Sequence, residues 1–284
     1  MKENILMTGT NGYLQNHISH FLKKNDYNTN CISLRNNEWK KKSFKEFDIA
    51  IHLAGIVHQK KSINLKNYID VNARLTYDFA KKCKADGIKH FIFFSTMSVY
   101  GENGSLNKII EIRDKENTNP NTNYGISKLY AEELLWKLND DNFKITIVRP
   151  PMIYGKDSPG NFYSLIKIGK IFPIFPKINN KRSAIYVDNL SNYIDMIIRK
   201  KHYGILHPQD PDYLSTNYVL KLVAENFDNK IYFLKMPRLF LSLLNKLTIF
   251  KKVYGNLTYS KNIDNIHKDY EEVTLKEALK YILK

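Results

Sequence analysis

The 284-residue sequence carries only two cysteines, Cys31 and Cys83, far apart in the chain. That excludes a disulfide scaffold, and the spacing suits no zinc site, so both read as free thiols of a reducing cytoplasm. No apolar run reaches the ~18 residues that would mark a transmembrane helix. The first eight residues hold too short an apolar stretch for a signal peptide and lead straight into a glycine turn. Acid is scarce: 28 aspartates and glutamates stand against 44 lysines and arginines, for a net charge of +16. Such a field suits nucleic acid, an anionic membrane or a diphosphate-bearing ligand. The lysines are scattered and no RNA-binding motif is present, so solvated faces are expected and a nucleic-acid partner is not. His52 and His58 lack partners at metal-ligand spacing, which makes them structural or surface groups and predicts no metal. Internal repeats and low-complexity segments are lacking too.

What is present is a globular core, with hydrophobic residues at 43%. Residues 4–7 read as a buried strand. It runs into Thr8-Gly9-Thr10-Asn11-Gly12-Tyr13-Leu14-Gln15 and then a helix with Ile18, Phe21 and Leu22 on one side. Strand, glycine turn and helix let backbone N–H groups approach a pyrophosphate at a helix N-terminus. A second strand, residues 30–34, ends at Arg35, where NAD-binding folds carry an acid for the ribose 2′-OH. An arginine can instead pair with a 2′-phosphate, so NADP(H) is favoured over NAD(H). The short linker 36–47 leaves a third strand of a few residues near Trp39, and Lys40-Lys41-Lys42 reads as a solvated loop. Residues 48–55 form a buried strand ending in Leu53-Ala54-Gly55. A helix over 69–84 follows, with Val71, Leu75, Phe79 and Cys83 spaced for burial.

The stretch from Phe91 to Lys128 is where chemistry concentrates. A buried strand, residues 91–94, ends in three hydroxyls, Ser95, Thr96 and Ser98. After a polar loop over 102–123 comes Tyr124-Gly125-Ile126-Ser127-Lys128, which on a helix puts Tyr124 and Lys128 on one face at i and i+4. The ammonium is expected to lower the phenol below its usual ~10. A strand-end hydroxyl, a tuned phenol and an ammonium make a proton-transfer site for a carbonyl/alcohol pair.

Residues 144–148 form another strand, which Pro150 and Pro151 force out of the sheet. The repeated strand–helix order predicts an α/β doubly wound parallel sheet. Residues 182–190 read as a strand entering a helix capped by Asp188. The region after His202 is expected to form a small substrate-side domain closed by a helix over 274–283. The apolar, basic-ended stretch 237–252 suits an ordinary core or partner-facing helix, with peripheral membrane contact as the alternative.

Several runs together resemble the extended short-chain dehydrogenases/reductases, which include nucleotide-sugar epimerases, reductases and dehydratases. They are Thr8-Gly9-x-x-Gly12, His52-Leu53-Ala54-Gly55, Asn72, Phe94-Ser95-Thr96-Met97-Ser98-Val99-Tyr100-Gly101, Tyr124-x-x-x-Lys128, Arg149-Pro150, and Arg182 before Ile185-Tyr186-Val187-Asp188. Arg149-Pro150-Pro151-Met152-Ile153-Tyr154-Gly155, Pro159-Gly160-Asn161-Phe162 and His207-Pro208-Gln209-Asp210 further resemble capsule-biosynthesis reductases acting on UDP-4-keto-6-deoxy-N-acetylhexosamines. The resemblance implies a Rossmann-like cofactor domain over 1–153, returning near 183–200, and an interleaved substrate domain over 154–284. It implies catalytic roles for Thr96, Tyr124 and Lys128. Cofactor contacts would come from Gly9, Asn11, Gly12, Tyr13, Leu14, Arg35, Leu53, Ala54, Gly55, Asn72, Ser95, Tyr124, Lys128, Pro150 and Met152. Ser98, Asn161 and Arg182 would hold a UDP-sugar. Pairing of catalytic helices into a homodimer is also implied. The family's third glycine of the first turn is here Gln15. The Asp-Glu pair of dehydratases is Met97 and Ser98, which argues against elimination of water. The expected reaction is reduction of a C4 ketone. The alternatives are 4-epimerisation of a UDP-hexose with bound NAD and a non-catalytic redox-sensing or RNA-binding relative.

Overall fold

The computed structural model describes residues 2–57, 64–264 and 272–284; for residues 161, 238–240, 248 and 249 it describes the backbone alone. His58 lies outside these residues. The chain divides into two compact units. The first comprises Met1–Gly101, Asn117–Pro150 and Leu190–Pro208. Its strands are β1 (Asn4–Thr8), β2 (Asn28–Ile32), β3 (Ile49–His52), β4 (His90–Phe94), β5 (Lys144–Val148) and β6 (Gly204–Leu206). They form one sheet in the order β6-β5-β4-β3-β1-β2, and every pairing is parallel. Every residue of β3 and of β4 is buried, as expected where helices cover both faces of a parallel sheet. The core joins Phe91, Phe93, Ile145 and Ile147 of the sheet to Phe79, Ala131 and Leu135 of the covering helices.

Strand order reverses between β1 and β3. In such sheets a ligand crevice opens outside the carboxyl ends of the strands at that point. The turn after Thr8 and the segment after His52 meet there. Thr8 Oγ1 accepts from the N–H groups of Leu53 and Ala54, each at 3.0 Å.

Several local expectations change. β2 lies two residues earlier than its apolar pattern indicated. Trp39 is buried, but in a short helical turn, Asn37–Lys41, rather than a strand. The asparagine side chain of residue 36 caps that turn by accepting from Glu38 N–H. The helix after β3 starts at Leu65 and contains a π turn over Asp70–Arg74. The extra residue in that turn shifts the buried face, so Asn72, Ala73 and Thr76 are buried where Val71 and Leu75 are half-buried. Residues 204–206, expected on the substrate side, instead extend the main sheet as β6 beside β5.

The second unit comprises Glu102–Glu116, Pro151–Asn189 and Gln209–Lys284. Among the described residues it contains three parallel two-stranded ribbons and several helices. The ribbons pair Met152–Tyr154 with Ala184–Tyr186, Ile174–Lys177 with Tyr232–Lys235, and Glu111–Ile112 with Thr258–Tyr259. The polar loop after Gly101 thus contributes a strand. The helix after Tyr186 begins at Val187, so Asp188 lies in its first turn and is not its cap. The Asp210 carboxylate instead accepts from Tyr186 N–H at 3.0 Å. Stretch 237–252 is broken into two helices, Arg238–Leu244 and Thr248–Tyr254, with Leu244 buried. Thr274 caps the last helix, Leu275–Leu283, in a reciprocal pair with Glu277. Among the described residues no helix is long and apolar enough to cross a membrane.

Candidate active site

Thr96 follows the carboxyl end of β4 and caps the turn Met97–Tyr100 by accepting from Ser98 N–H at 3.1 Å. Its hydroxyl donates to Ser98 Oγ at 3.2 Å. Tyr124 is the second residue of the helix Asn123–Trp136, whose N-cap is Thr122. This N-terminus approaches the Thr96 turn closely: a Cβ on Gly125 would come within 2.7 Å of Ser98 O, so only glycine permits the contact. The approach brings the Thr96 hydroxyl near enough to the Tyr124 phenol to pull its pKa down. One turn on, Lys128 is buried and donates to Phe94 O at 2.8 Å. Its Nζ stands 6.0 Å from the centre of the Tyr124 ring. Thr96, Tyr124 and Lys128 are therefore brought together.

The electrostatics differ from the sequence expectation. Burial pushes the Tyr124 phenol up to about 12, against a smaller opposite pull from Thr96. The ring keeps some solvent exposure but is densely surrounded by protein. Burial also lowers Lys128 to about 8, while Glu132 works the other way. Desolvation, not the neighbouring ammonium, dominates the phenol.

The groups around this centre are held by two buried networks. In the first, His52 Nδ1 meets Thr8 Oγ1 and Nε2 meets Thr76 Oγ1, each at 2.9 Å. Thr76 donates to Asn72 O and Thr8 accepts from two amides, so the ring is neutral with its proton on Nε2. Burial, helped by Lys128, lowers His52 to about 3. Asn72 accepts from Ile56 N–H at 2.8 Å and donates to Ser127 Oγ at 3.1 Å, tying the segment after β3 to the Tyr124 helix. In the second network Glu132 accepts from Ser95 Oγ and from Arg149 Nε and Nη2. Arg149 Nη1 donates to Tyr100 Oη at 2.8 Å, and Tyr100 Oη meets His207 Nε2 at 2.7 Å. Sequence reading missed Glu132. Its signal was the continued spacing of four from Tyr124 through Lys128.

The residues at the crevice fit a nicotinamide dinucleotide. Gly9 adopts φ +101°, a conformation glycine favours. Gly12 caps the helix Tyr13–Lys24 without a side-chain hydrogen bond, and no acid lies in the first turn. A diphosphate at that N-terminus would meet N–H donors and a favourable dipole. Asn11 and Gly12 are exposed, Tyr13 and Leu14 half-buried, and Leu53, Ala54 and Gly55 line the facing segment. Gln15 turns away into the protein: it is buried, and its Nε2 donates to Cys31 Sγ at 3.0 Å. It thus joins helix to β2 where a glycine would allow bare contact. Arg35 is exposed three residues beyond the true end of β2, with Ser33 Oγ accepting its N–H. Ser95 and Pro150 are buried at the ends of β4 and β5.

In the second unit, Met152 opens a ribbon strand. Arg182 Nη1 donates to Lys251 O at 3.0 Å and Gly255 O at 2.7 Å. No carboxylate pairs with it among the described residues, and burial lowers its pKa to about 10. The side chain of Asn161 lies outside the described residues.

The profile of the NAD dependent epimerase/dehydratase family matches residues 5–207. The chain belongs to that family. It is an enzyme fold of the extended short-chain dehydrogenase/reductase type, as the α/β sheet and the Tyr124 helix indicated. The chain is 28% identical to a UDP-glucose 4-epimerase of Vibrio cholerae over 235 residues, spanning 78% of this chain and 70% of that protein. It is 27% identical to an N-acetyl-alpha-D-glucosaminyl-diphospho-ditrans,octacis-undecaprenol 4-epimerase of Escherichia coli O157:H7, spanning 84% and 76% respectively. The crystal structure of dTDP-4-dehydrorhamnose reductase of Bacillus anthracis in complex with NADP superposes with a TM-score of 0.72 at 19% identity, covering 99% of this chain and 98% of that one. At that identity the superposition shows the fold.

Proposed function

We propose that this enzyme reduces the C4 ketone of a UDP-4-keto-6-deoxy-hexosamine in surface polysaccharide biosynthesis. The observation that carries the reading is the grouping of Thr96 and Tyr124 beside buried Lys128. Both hydroxyls can hold one substrate oxygen. With its pKa raised to about 12, Tyr124 is a protonated donor at neutral pH. It gives its proton to the oxygen of the ketone as that oxygen gains charge, and Lys128 stabilises the resulting phenolate. When bound, a nicotinamide cofactor supplies the hydride chemistry. The Gly9–Gly12 turn, residues 53–55, Asn72 and Lys128 are the groups that would hold it. A half-buried Arg182, with no carboxylate partner among the described residues, suits an anionic group such as a diphosphate.

Net reduction is supported by the end of β2, where Ser33 and Arg35 stand in place of an acid, a composition suited to NADP(H). A second reading, 4-epimerisation with retained NAD, is supported by the two relatives named above, both 4-epimerases. The second of them also raises a polyprenyl rather than a nucleotide carrier. The test is incubation with a UDP-4-keto-6-deoxy-N-acetylhexosamine and NADPH or NADH, beside UDP-GlcNAc and UDP-glucose with NAD. Stoichiometric loss of reduced nicotinamide with formation of a C4 alcohol supports reduction. C4 inversion without net cofactor consumption overturns it in favour of the epimerase.

A further inference from the structure

The acids of this chain, rather than its bases, are unevenly placed. No aspartate or glutamate occurs from Ser158 to Val187 or from Asn229 to Ile263, while twelve lysines and arginines do. The fold joins parts of these two stretches. Tyr232 pairs with Ile174 and Leu234 with Pro176 in one parallel ribbon, and Tyr232 N–H donates to Pro173 O at 2.7 Å. Asn229 Nδ2 reaches Lys170 O, so the approaches to both strands also adjoin.

The ribbon has an inner and an outer face. Phe175 is buried and its pair Phe233 is half-buried. The alternate positions are apolar as well, yet Ile174 is 56%, Tyr232 57% and Leu234 49% exposed. Ile171 and Phe172, just before the ribbon, are 73% and 57% exposed. A half-buried strand pair ordinarily carries polar residues outward. Here both faces carry apolar residues; Lys170 and Lys230 stand exposed at the approaches to the two strands, and Lys177 and Lys235, which by strand alternation share the side of Phe175 and Phe233, are exposed at the far end of the ribbon.

We propose that this face docks on an anionic lipid bilayer, with the outward apolar side chains entering the headgroup boundary and the lysines meeting lipid phosphates. Apolar burial and attraction to anionic lipid act together in such contacts. The charge argues against a second copy as occupant. A symmetric pair through this face would set lysines against lysines; the acids beside them, Glu225 and Asp228, are outnumbered by Lys170, Lys177, Lys230 and Lys235. Nucleic acid is disfavoured because aliphatic Ile171, Ile174 and Leu234 interrupt the stacking surface that Phe172 and Tyr232 offer. The proposal places membrane contact on the ribbon, which ends at Lys235, rather than on the 237–252 stretch that follows it, and is independent of the catalytic reading.

The experiment is co-sedimentation of the full chain with vesicles of phosphatidylcholine alone or mixed with phosphatidylglycerol. Anionic vesicles are expected to bind at least about tenfold more protein, and added salt to weaken binding. The pairs Tyr232→Ser with Leu234→Ser, and Lys170→Glu with Lys235→Glu, should each reduce binding by about tenfold or more. Circular dichroism should stay unchanged, as should nucleotide affinity, because none of these four residues belongs to the catalytic centre. Failure of the wild-type chain to bind anionic vesicles overturns the proposal, as does equal binding by both paired variants. A concentration-dependent dimer in analytical ultracentrifugation that the Tyr232→Ser, Leu234→Ser pair abolishes would overturn it in favour of a second copy.

Discussion

The Lys128 ammonium donates a hydrogen bond to the main-chain oxygen of Phe94 at 2.8 Å, two residues before Thr96. Burial lowers its pKa to about 8, so its charge is complete below that pH and is lost above it. Ketone reduction should therefore slow as pH rises past about 8, because the phenolate left on Tyr124 loses its stabilising cation. Lys128→Arg should abolish this alkaline limb while lowering kcat, since guanidinium keeps its proton. The pH profile of kcat for both proteins is the measurement, and an unchanged limb in the variant would assign it to another group.

Tyr124→Phe removes the proton donor and leaves the ring. Turnover should fall by roughly 10²–10⁴-fold, the usual size of an acid–base contribution. Nucleotide affinity, read by tryptophan fluorescence, should stay within about twofold.

Glu132 and Arg149 form a buried ion pair, 2% and 7% exposed at the side chain. Glu132→Ala leaves Arg149 charged without a carboxylate and should cost about 3–5 kcal/mol in urea unfolding. Changing both residues to methionine should cost less than either single alanine change, because no isolated charge remains. A double variant weaker than the singles would show that the pair does more than neutralise itself.

His52 tests the neutral network at the crevice. Its folded pKa of about 3 lies below its ordinary 6.5, so the unfolded chain takes up the proton first as pH falls. This contribution to stability is present above 6.5 and is lost as pH drops toward 3. Between pH 6.5 and 5 the loss from this one group is about 2 kcal/mol. His52→Gln, compared with wild type at both pH values, should lack that share of the decline.

Arg35→Asp should turn preference from NADPH toward NADH by about tenfold or more in kcat/KM, as expected for loss of a charge-assisted contact. An unchanged ratio would remove Arg35 from cofactor selection.

Much of the nucleotide-binding unit was legible in the chain itself. Buried parallel strands announce themselves as unbroken apolar runs, and a helix places residues four apart on one face whatever surrounds it. The positions of β1, β3, β4 and β5 and the alignment of Tyr124 with Lys128 follow from such short-range geometry. Tertiary structure decided what depends on partners far away in sequence. The tyrosine is raised rather than lowered because desolvation belongs to the packed site, not to the spacing of two side chains. Gln15 finds Cys31 across the first crossover, residues 204–206 become a strand only because the edge of β5 is open to them, and Trp39 is buried without needing a strand. The apolar face rimmed by lysine exists because one ribbon joins segments more than fifty residues apart. Periodicity is local and reads from sequence; burial and charge balance are sums over neighbours that only the folded chain assembles.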